Sequence, residues 1–159
     1  MASRTEKLGL YTWLENDPVD FEQLNNNFEK LESCSIVVES GTKTSGYSGG
    51  PSGYNATWYY KKYSDKTIEM STKLEFTSLK CNYGDSAPYH SGDSTVYFPF
   101  KFSKIYDVQM SLASNTLGWV VNITGQSVID EIKFRVVNVV KEETEAYKQV
   151  YITVKGVEA

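Results

Sequence analysis

The chain has 159 residues, of which 40% are hydrophobic and 23% charged, and this size and composition predict one globular core domain with a small appendage. The net charge of −4 is mild and the Lys and Arg residues are scattered, which argues against binding to a nucleic-acid backbone. No apolar run approaches the ~20 residues of a membrane helix, and the N-terminal sequence lacks a signal-peptide pattern. We therefore expect no nucleic-acid partner, no membrane insertion and folding in the cytosol.

The segment from Thr5 to Pro18 is an apolar arm. Its large side chains follow neither the period of two of a strand nor the period of 3.6 of a helix, so the arm has no core of its own. Such an arm requires a partner surface. Its large side chains include Leu8, Leu10, Tyr11 and Trp13.

A short helix is predicted from Val19 to Ser33. Asp17 offers a side-chain oxygen as the N-cap, and Pro18 suits the first helical position, where its missing N–H has no intrahelical partner to lose. A helix of about fifteen residues with three Asn is marginal in water and needs packing to persist. We place the domain boundary after it, with the arm and helix in residues 1–34 and a β domain in residues 35–159.

The helix carries a narrow apolar seam with the spacing of the a and d positions of a coiled coil. The polar residues 25–27, with Glu29 and Lys30, are predicted to face away from it. The seam either docks on the chain's own β domain or meets the seams of other copies at an axis, and two heptads alone are too short to specify an oligomer. The seam consists of Phe21, Leu24, Phe28 and Leu31.

From residue 35 onward, strands alternate with turn residues, which predicts a mainly β fold, an antiparallel β-sandwich of six or seven strands. The clearest element is a hairpin with arms 57–63 and 67–77, whose second arm alternates apolar and polar residues. Segments Gly41–Ala56 and Lys80–Ser94 are predicted to be long surface loops. Pro99 predicts an edge position or a bulge in the strand 95–102.

Two later strands each place apolar residues on one face. Further strands are predicted around 129–140 and 149–156, separated by a charged turn. The two apolar faces are Val108, Met110 and Leu112 in one strand, and Trp119, Val121 and Ile123 in the other.

The sequence offers little for catalysis or metal binding. His90 is the only histidine, and no hydrolase, zinc-protease or nucleotide-binding motif occurs. Cys34 and Cys81 are far apart and lack the spacing of a zinc or redox motif, so we expect free thiols. We predict that the protein is not an enzyme and has no cofactor and no metal site.

Three stretches carry a resemblance to a known family. LGLYTWLENDPVDFEQLNNNFEKLE, WYYKKYSDKTIEMSTKLEF, and VYFPFKFSKIYDVQMSLAS with the closing QVYITVKG resemble tail fibre and baseplate proteins of bacteriophages, chiefly of Gram-positive hosts, and of phage-tail-like bacteriocins. The last stretch looks like their C-terminal H-type-lectin-like sandwich, and Phe98-Pro99 and Gly156 match its signature. Three positions depart from the family pattern: Asp107 replaces a Pro, and Ile152 and Val154 replace the closing Trp and Ala. Lys66 stands where the family's hairpin usually has Gly.

The resemblance implies a tail fibre or receptor-binding subunit of a phage tail or tail-like particle. Such proteins are homotrimers that attach to baseplate or tail proteins by the N-terminal part, here the apolar arm of Leu8, Leu10, Tyr11 and Trp13, with the sandwich pointing outward. The expected location is the tail tip of a virion or tail-like particle assembled in the bacterial cytoplasm. A purely structural baseplate subunit is the alternative. A free soluble lectin is disfavoured, because its apolar arm would be exposed.

The loop sequence NYGDSAPYHSGD supplies both kinds of group that bind sugars. Sugar rings stack on aromatic faces, while their hydroxyls need carboxylate and amide partners. The competing interpretations are that these residues seal the trimer interface, or that the loop is inert. The residues expected to contact a host cell-surface glycan are Tyr83, Tyr89, His90 and Asp93.

Overall fold

The computed structural model of the chain describes residues 3–4, 11–12, 20–33, 35–48, 55–125, 129–142, 144 and 146–159. The chain divides into two compact units, Met1–Ile36 and Val37–Ala159. The described part is mainly β with one short helix, as the sequence predicts.

The first unit contains the helix α1 (Phe21–Ser33) and a short antiparallel pair of strands, β1 (Ser3–Arg4) and β2 (Tyr11–Thr12). Tyr11 of the predicted arm therefore lies in a strand of two residues. The other three residues assigned to tail attachment, Leu8, Leu10 and Trp13, lie outside the described residues.

Helix α1 begins at Phe21, two residues after the start of the predicted range at Val19. Asp17 and Pro18, the predicted cap and first helical residue, lie outside the described residues. The cap is Asp20, whose Oδ1 accepts hydrogen bonds from the backbone N–H groups of Glu22 at 2.9 Å and Gln23 at 3.4 Å. Both aspartates offer the same capping oxygen, and the local sequence does not rank them.

The apolar seam of α1 is open to solvent in the single chain. Phe21 is 76% exposed and Phe28 is 55% exposed, while Leu24 is partly buried. Asn27, predicted to face away from the seam, is instead buried, whereas Asn25 and Glu29 are exposed as predicted. The side chain of Leu31 lies outside the described part.

The second unit consists of nine described strands in one curled antiparallel sheet. The strand order is β6-β10-β7-β3-β4-β5-β11-β8, and β9 pairs with β10 off this path. The strands are β3 (Val37–Ser48), β4 (Asn55–Tyr63), β5 (Thr67–Leu79), β6 (Tyr89–His90), β7 (Ser94–Tyr97), β8 (Phe102–Ser114), β9 (Gly118–Asn122), β10 (Glu131–Asn138) and β11 (Ala146–Glu158).

The predicted hairpin is confirmed as β4 and β5. Its turn is closed by a hydrogen bond from the Lys66 N–H to the Tyr63 carbonyl at 3.0 Å, and Lys66 has a φ of 65°, in the left-handed region that favours glycine. The predicted alternation in β5 is also confirmed, because one set of side chains faces the core. The buried set is Ile68, Met70, Thr72 and Leu74.

The predicted loop Gly41–Ala56 is wrong over most of its length. Gly41–Ser48 continues β3, which pairs with β4 from Val37 to Gly46. Side chains are exposed on both faces of β3 from Val37 to Thr44, so backbone pairing rather than burial holds this strand. A strand without a buried face shows no hydrophobic alternation for a sequence reading to detect.

Two further strand predictions need adjustment. The predicted strand 95–102 ends at Tyr97, and the chain leaves the sheet around Pro99 before β8 begins at Phe102. Proline lacks the N–H that a paired position requires. Trp119 and Val121 share a face as predicted, but that face points to solvent, whereas Val120 packs against the core.

The core is one apolar cluster, to which strands from both ends of the sheet order contribute, including β10 and β8. Several aromatic rings meet edge to face within it, the arrangement that ring quadrupoles favour. Its fully buried large side chains include Trp58, Phe76, Phe102, Phe134, Ile68, Ile132 and Ile152.

Candidate functional site: an aromatic patch on strands β6, β10 and β9

The outer face of β6, β10 and β9 carries an aromatic patch. In register, Val137 of β10 lies between His90 of β6 and Trp119 of β9. Paired residues of antiparallel strands share a face, and Val136 next along β10 is fully buried in the core, so these three side chains lie on the opposite face. We define the outer patch as Tyr83, His90, Asp93, Trp119 and Arg135.

Tyr83 and His90 form a stacked pair within the outer patch. Their ring centroids are 5.7 Å apart with an interplanar angle of 11°, and Tyr83 remains 57% exposed. The two backbones exchange hydrogen bonds, from each N–H to the other carbonyl, at 3.0 Å. This bridge fixes the exposed Tyr83 ring over a residue of the sheet.

Ser91 anchors the loop that carries these residues. Its N–H donates to the Val136 carbonyl at 2.8 Å, and its hydroxyl oxygen accepts from the Val136 N–H at 3.0 Å. The Ser91 side chain is fully buried. The predicted loop 80–94 is therefore tied to β10 immediately beside His90, and a fixed backbone reduces the entropy lost when a ligand binds.

Asp93 joins the patch through an ion pair with Arg135 of β10. Arg135 lies two residues from Val137 on the same strand, so it shares the outer face, and its register partner is Val121 of β9. The hydrogen bond from Arg135 lowers the pKa of Asp93. The carboxylate stays ionised at neutral pH and presents acceptor oxygens beside the aromatic rings.

Tyr89 does not belong to the outer patch. It is paired in register with Asn138, one position from His90, so its side chain lies on the other face of β6. The structure thus brings together Tyr83, His90 and Asp93 of the four residues predicted to contact a glycan.

Sequence reasoning missed Trp119 and Arg135. The alternation in β9 did put Trp119 and Val121 on one face, but alternation alone does not say which face is the solvent side. Arg135 belongs to the strand EIKFRVVN, in which an outward-facing charged residue is ordinary and does not indicate a binding site. Only the strand pairing places both residues beside the loop.

A second set of exposed tyrosines lies on the outer face of β4, β5 and β11. Tyr59 is 64% exposed and is aligned in register with Ser71 and Thr153. The neighbouring charges are paired, as in the Lys155–Glu69 contact at 2.7 Å. This face contains none of the predicted site residues and provides a matched control surface.

The outer patch fits binding better than bond-making chemistry. Its histidine has Nδ1 2.7 Å from the Ser91 carbonyl, which places the Nδ1 proton there, and its carboxylate faces a guanidinium rather than a nucleophile. Within the described ranges, no three His, Cys, Asp or Glu residues form a group able to hold a metal ion. The described helix is not long and apolar enough to span a membrane.

No family model, curated protein sequence or solved structure matches this chain. Inference about function therefore depends on the residues of the two units and on the motifs of the sequence.

Proposed function

We propose that the protein is a tail fibre or receptor-binding subunit of a phage tail or phage-tail-like particle. It attaches to the baseplate by its N-terminal unit and contacts a glycan of the host cell surface by its β unit, which we propose to be an H-type-lectin-like sandwich. The family-like sequence stretches support this proposal. The observation that carries it is the outer patch, which gathers three predicted receptor residues with an exposed tryptophan.

The chemistry of the outer patch suits a saccharide. The exposed faces of Tyr83 and Trp119 offer flat apolar surfaces for sugar C–H groups, while the ion-paired Asp93 and Arg135 offer an acceptor and donors to hydroxyls. The loop is held by the Ser91 hydrogen bonds, so little ordering is needed on binding.

Substituting the two exposed rings tests the receptor role. Each of Tyr83→Ala and Trp119→Ala should weaken binding to host cells and purified cell-wall polysaccharide about tenfold, because one lost stack is worth about 1.4 kcal/mol. Binding is measured by sedimentation with a panel of Gram-positive cells and by calorimetry with the polysaccharide of a cell that binds.

The control for this experiment is Tyr59→Ala, which removes an exposed ring from the outer face of β4, away from the strands of the outer patch. Its binding should equal that of the wild type. Equal loss in all three variants, or no loss in Tyr83→Ala and Trp119→Ala, would refute the receptor assignment.

The open seam of α1 supports the homotrimer in this proposal. Phe21 and Phe28 are the most exposed phenylalanines of the described chain, and a helix of this length needs packing to persist. Wild-type protein should sediment and scatter light as a trimer at micromolar concentration, and Phe21→Glu/Phe28→Glu should be a monomer with an intact β unit.

The matched control for the trimer is Asn25→Glu, which adds a charge at an exposed position outside the seam. It should remain trimeric. A monomeric wild type with its helix intact by circular dichroism would overturn the trimer.

The purely structural baseplate subunit has one observation in its favour. The outer patch is rigidly held by the Ser91 hydrogen bonds and the Asp93–Arg135 pair, as a protein–protein contact within a particle also requires. A Trp119→Ala variant that binds cells normally but fails to enter particles would favour this alternative.

A further inference from the structure

Three polar side chains lie buried together where β10 ends and β11 begins. The side chains of Lys148 in β11 and Glu142 in the preceding segment are 1% and 7% exposed, and Asn138 at the end of β10 is 1% exposed as a residue. The sequence predicts a charged turn around Glu142, and the structure buries the Glu142 side chain. Fully buried lysines are rare, so this cluster requires an explanation.

Glu142 bridges the lysine amine and the asparagine amide. Lys148 Nζ lies 2.8 Å from Oε1 and 2.7 Å from Oε2 of Glu142, and Asn138 Nδ2 lies 2.8 Å from the same Oε1. The amine and the amide are therefore held by one carboxylate oxygen, within two hydrogen-bond lengths of each other.

The surroundings keep these groups in place and away from water. The Cys81 N–H donates to Glu142 Oε2 at 2.8 Å, the Thr116 hydroxyl lies 2.8 Å from Asn138 Nδ2, and Lys148 Nζ also donates to the Leu79 carbonyl at 3.0 Å. Cys81 itself is fully buried and its thiol is free. Burial disfavours the charged form of the lysine amine, and a carboxylate in hydrogen-bond contact with it can accept its proton.

We propose that Lys148 and Asn138 form an intramolecular amide bond, with Glu142 as the proton carrier. Glu142 takes a proton from the Lys148 ammonium, and the neutral Nζ attacks Cγ of Asn138. Glu142 then donates its proton to Nδ2 and receives the second Nζ proton. The Cγ–Nδ2 bond breaks, the Nζ–Cγ bond remains, and ammonia leaves without any oxidant or cofactor.

The bond would connect strands that do not pair with each other. β10 pairs with β6, β7 and β9, whereas β11 pairs with β5 and β8. A covalent link between Asn138 and Lys148 would therefore join two strands that are not neighbours in the sheet. It would resist pulling forces across the domain, which is useful in a protein that anchors a particle to a cell.

The mass of the denatured wild-type protein tests this inference. After incubation at neutral pH, the protein should be lighter than its sequence by one ammonia molecule, and proteolysis should yield a branched peptide that joins Asn138 to Lys148. A folded wild type that retains its full mass, with both residues in separate linear peptides, would overturn the proposal and leave the cluster as an ion pair.

Variants assign the roles within the cluster. Glu142→Ala should abolish the mass loss, whereas Asn138→Asp should lose one water molecule in place of ammonia if the same carbon is attacked. Lys155→Arg, at an exposed lysine of the same strand, should keep the wild-type mass loss. These masses do not depend on receptor binding or on oligomeric state, so they test the bond independently of the proposed function.

Discussion

Replacing Glu142 with alanine should lower the free energy of unfolding by about 3–5 kcal/mol, because the variant leaves the buried Lys148 ammonium without its carboxylate. The lysine would keep only the Leu79 carbonyl among the acceptors that it has in the described structure. Asn138 and the Cys81 N–H would each lose an acceptor as well. Urea unfolding followed by tryptophan fluorescence measures the difference.

The matched control is the double variant Glu142→Leu/Lys148→Met, which removes both charges and keeps the volume apolar. It should be more stable than Glu142→Ala, since the larger part of the penalty comes from the unpaired charge rather than from the lost pair. A double variant less stable than the single one would contradict this account.

The same ion pair predicts a loss of stability in acid. Burial disfavours the ionised form of Glu142, but hydrogen bonds from Lys148 and Cys81 outweigh this effect and lower the pKa of Glu142 below its ordinary 4.5. A carboxyl whose pKa is lowered on folding contributes stability above its unfolded pKa and loses it as the pH falls through the folded value. Wild-type protein in which the Lys148–Asn138 bond has not formed should therefore lose more stability than Glu142→Ala below about pH 4.5.

The Cys81 thiol should not react readily at neutral pH. Burial raises the pKa of Cys81 to about 11, and the neighbouring Glu142 carboxylate acts in the same direction. The thiolate, which is the reactive form, is therefore scarce. This agrees with the buried free thiol expected for Cys81 from the sequence, whereas Cys34 lies outside the described residues.

The parts of the fold that were predictable are those in which one strand face is buried. In β5, Ile68 and Met70 alternate with outward polar residues, and the pairing with β4 follows the predicted hairpin. In β3, Val37–Thr44 is exposed on both faces, so its strand character arises from pairing with β4, which no local pattern records. The burial of a polar side chain is also not predictable from the local sequence. Lys148 is buried because of contacts with residues distant in the chain, such as the Leu79 carbonyl.

The candidate site was also only partly predictable from the sequence. The loop composition pointed to Tyr83, His90 and Asp93, since Tyr and Asp are typical of binding loops. Trp119 and Arg135 come from strands that are distant in sequence, and β10 brings them beside the loop. The types of residue in a loop can identify it as a binding segment. Which residues of other strands complete the binding surface is known only from the strand register.

Replacing Trp58 with alanine should be at least as damaging as the Glu142 substitution, at about 3–5 kcal/mol. Trp58 is fully buried, and its ring meets Phe98 edge to face with centroids 5.8 Å apart. Its Nε1–H donates to the Ser45 hydroxyl at 2.8 Å, and that hydroxyl donates to the Tyr97 carbonyl. The indole therefore joins β4 to β3 and, through Ser45, to β7, so its loss opens a cavity and removes this polar link.

Two further substitutions test whether burial of Trp58 causes this loss in the free energy of unfolding. Trp58→Phe keeps an aromatic ring but not the N–H donor, and should cost less than Trp58→Ala because it leaves a smaller cavity. Trp119→Ala removes the same side chain from a position that is 43% exposed, and should cost less than about 1 kcal/mol while weakening glycan binding. Urea unfolding of the three variants measures these differences. Similar losses for Trp58→Ala and Trp119→Ala would mean that β9 is packed as tightly as the core, and that the outer patch supports the fold rather than a receptor.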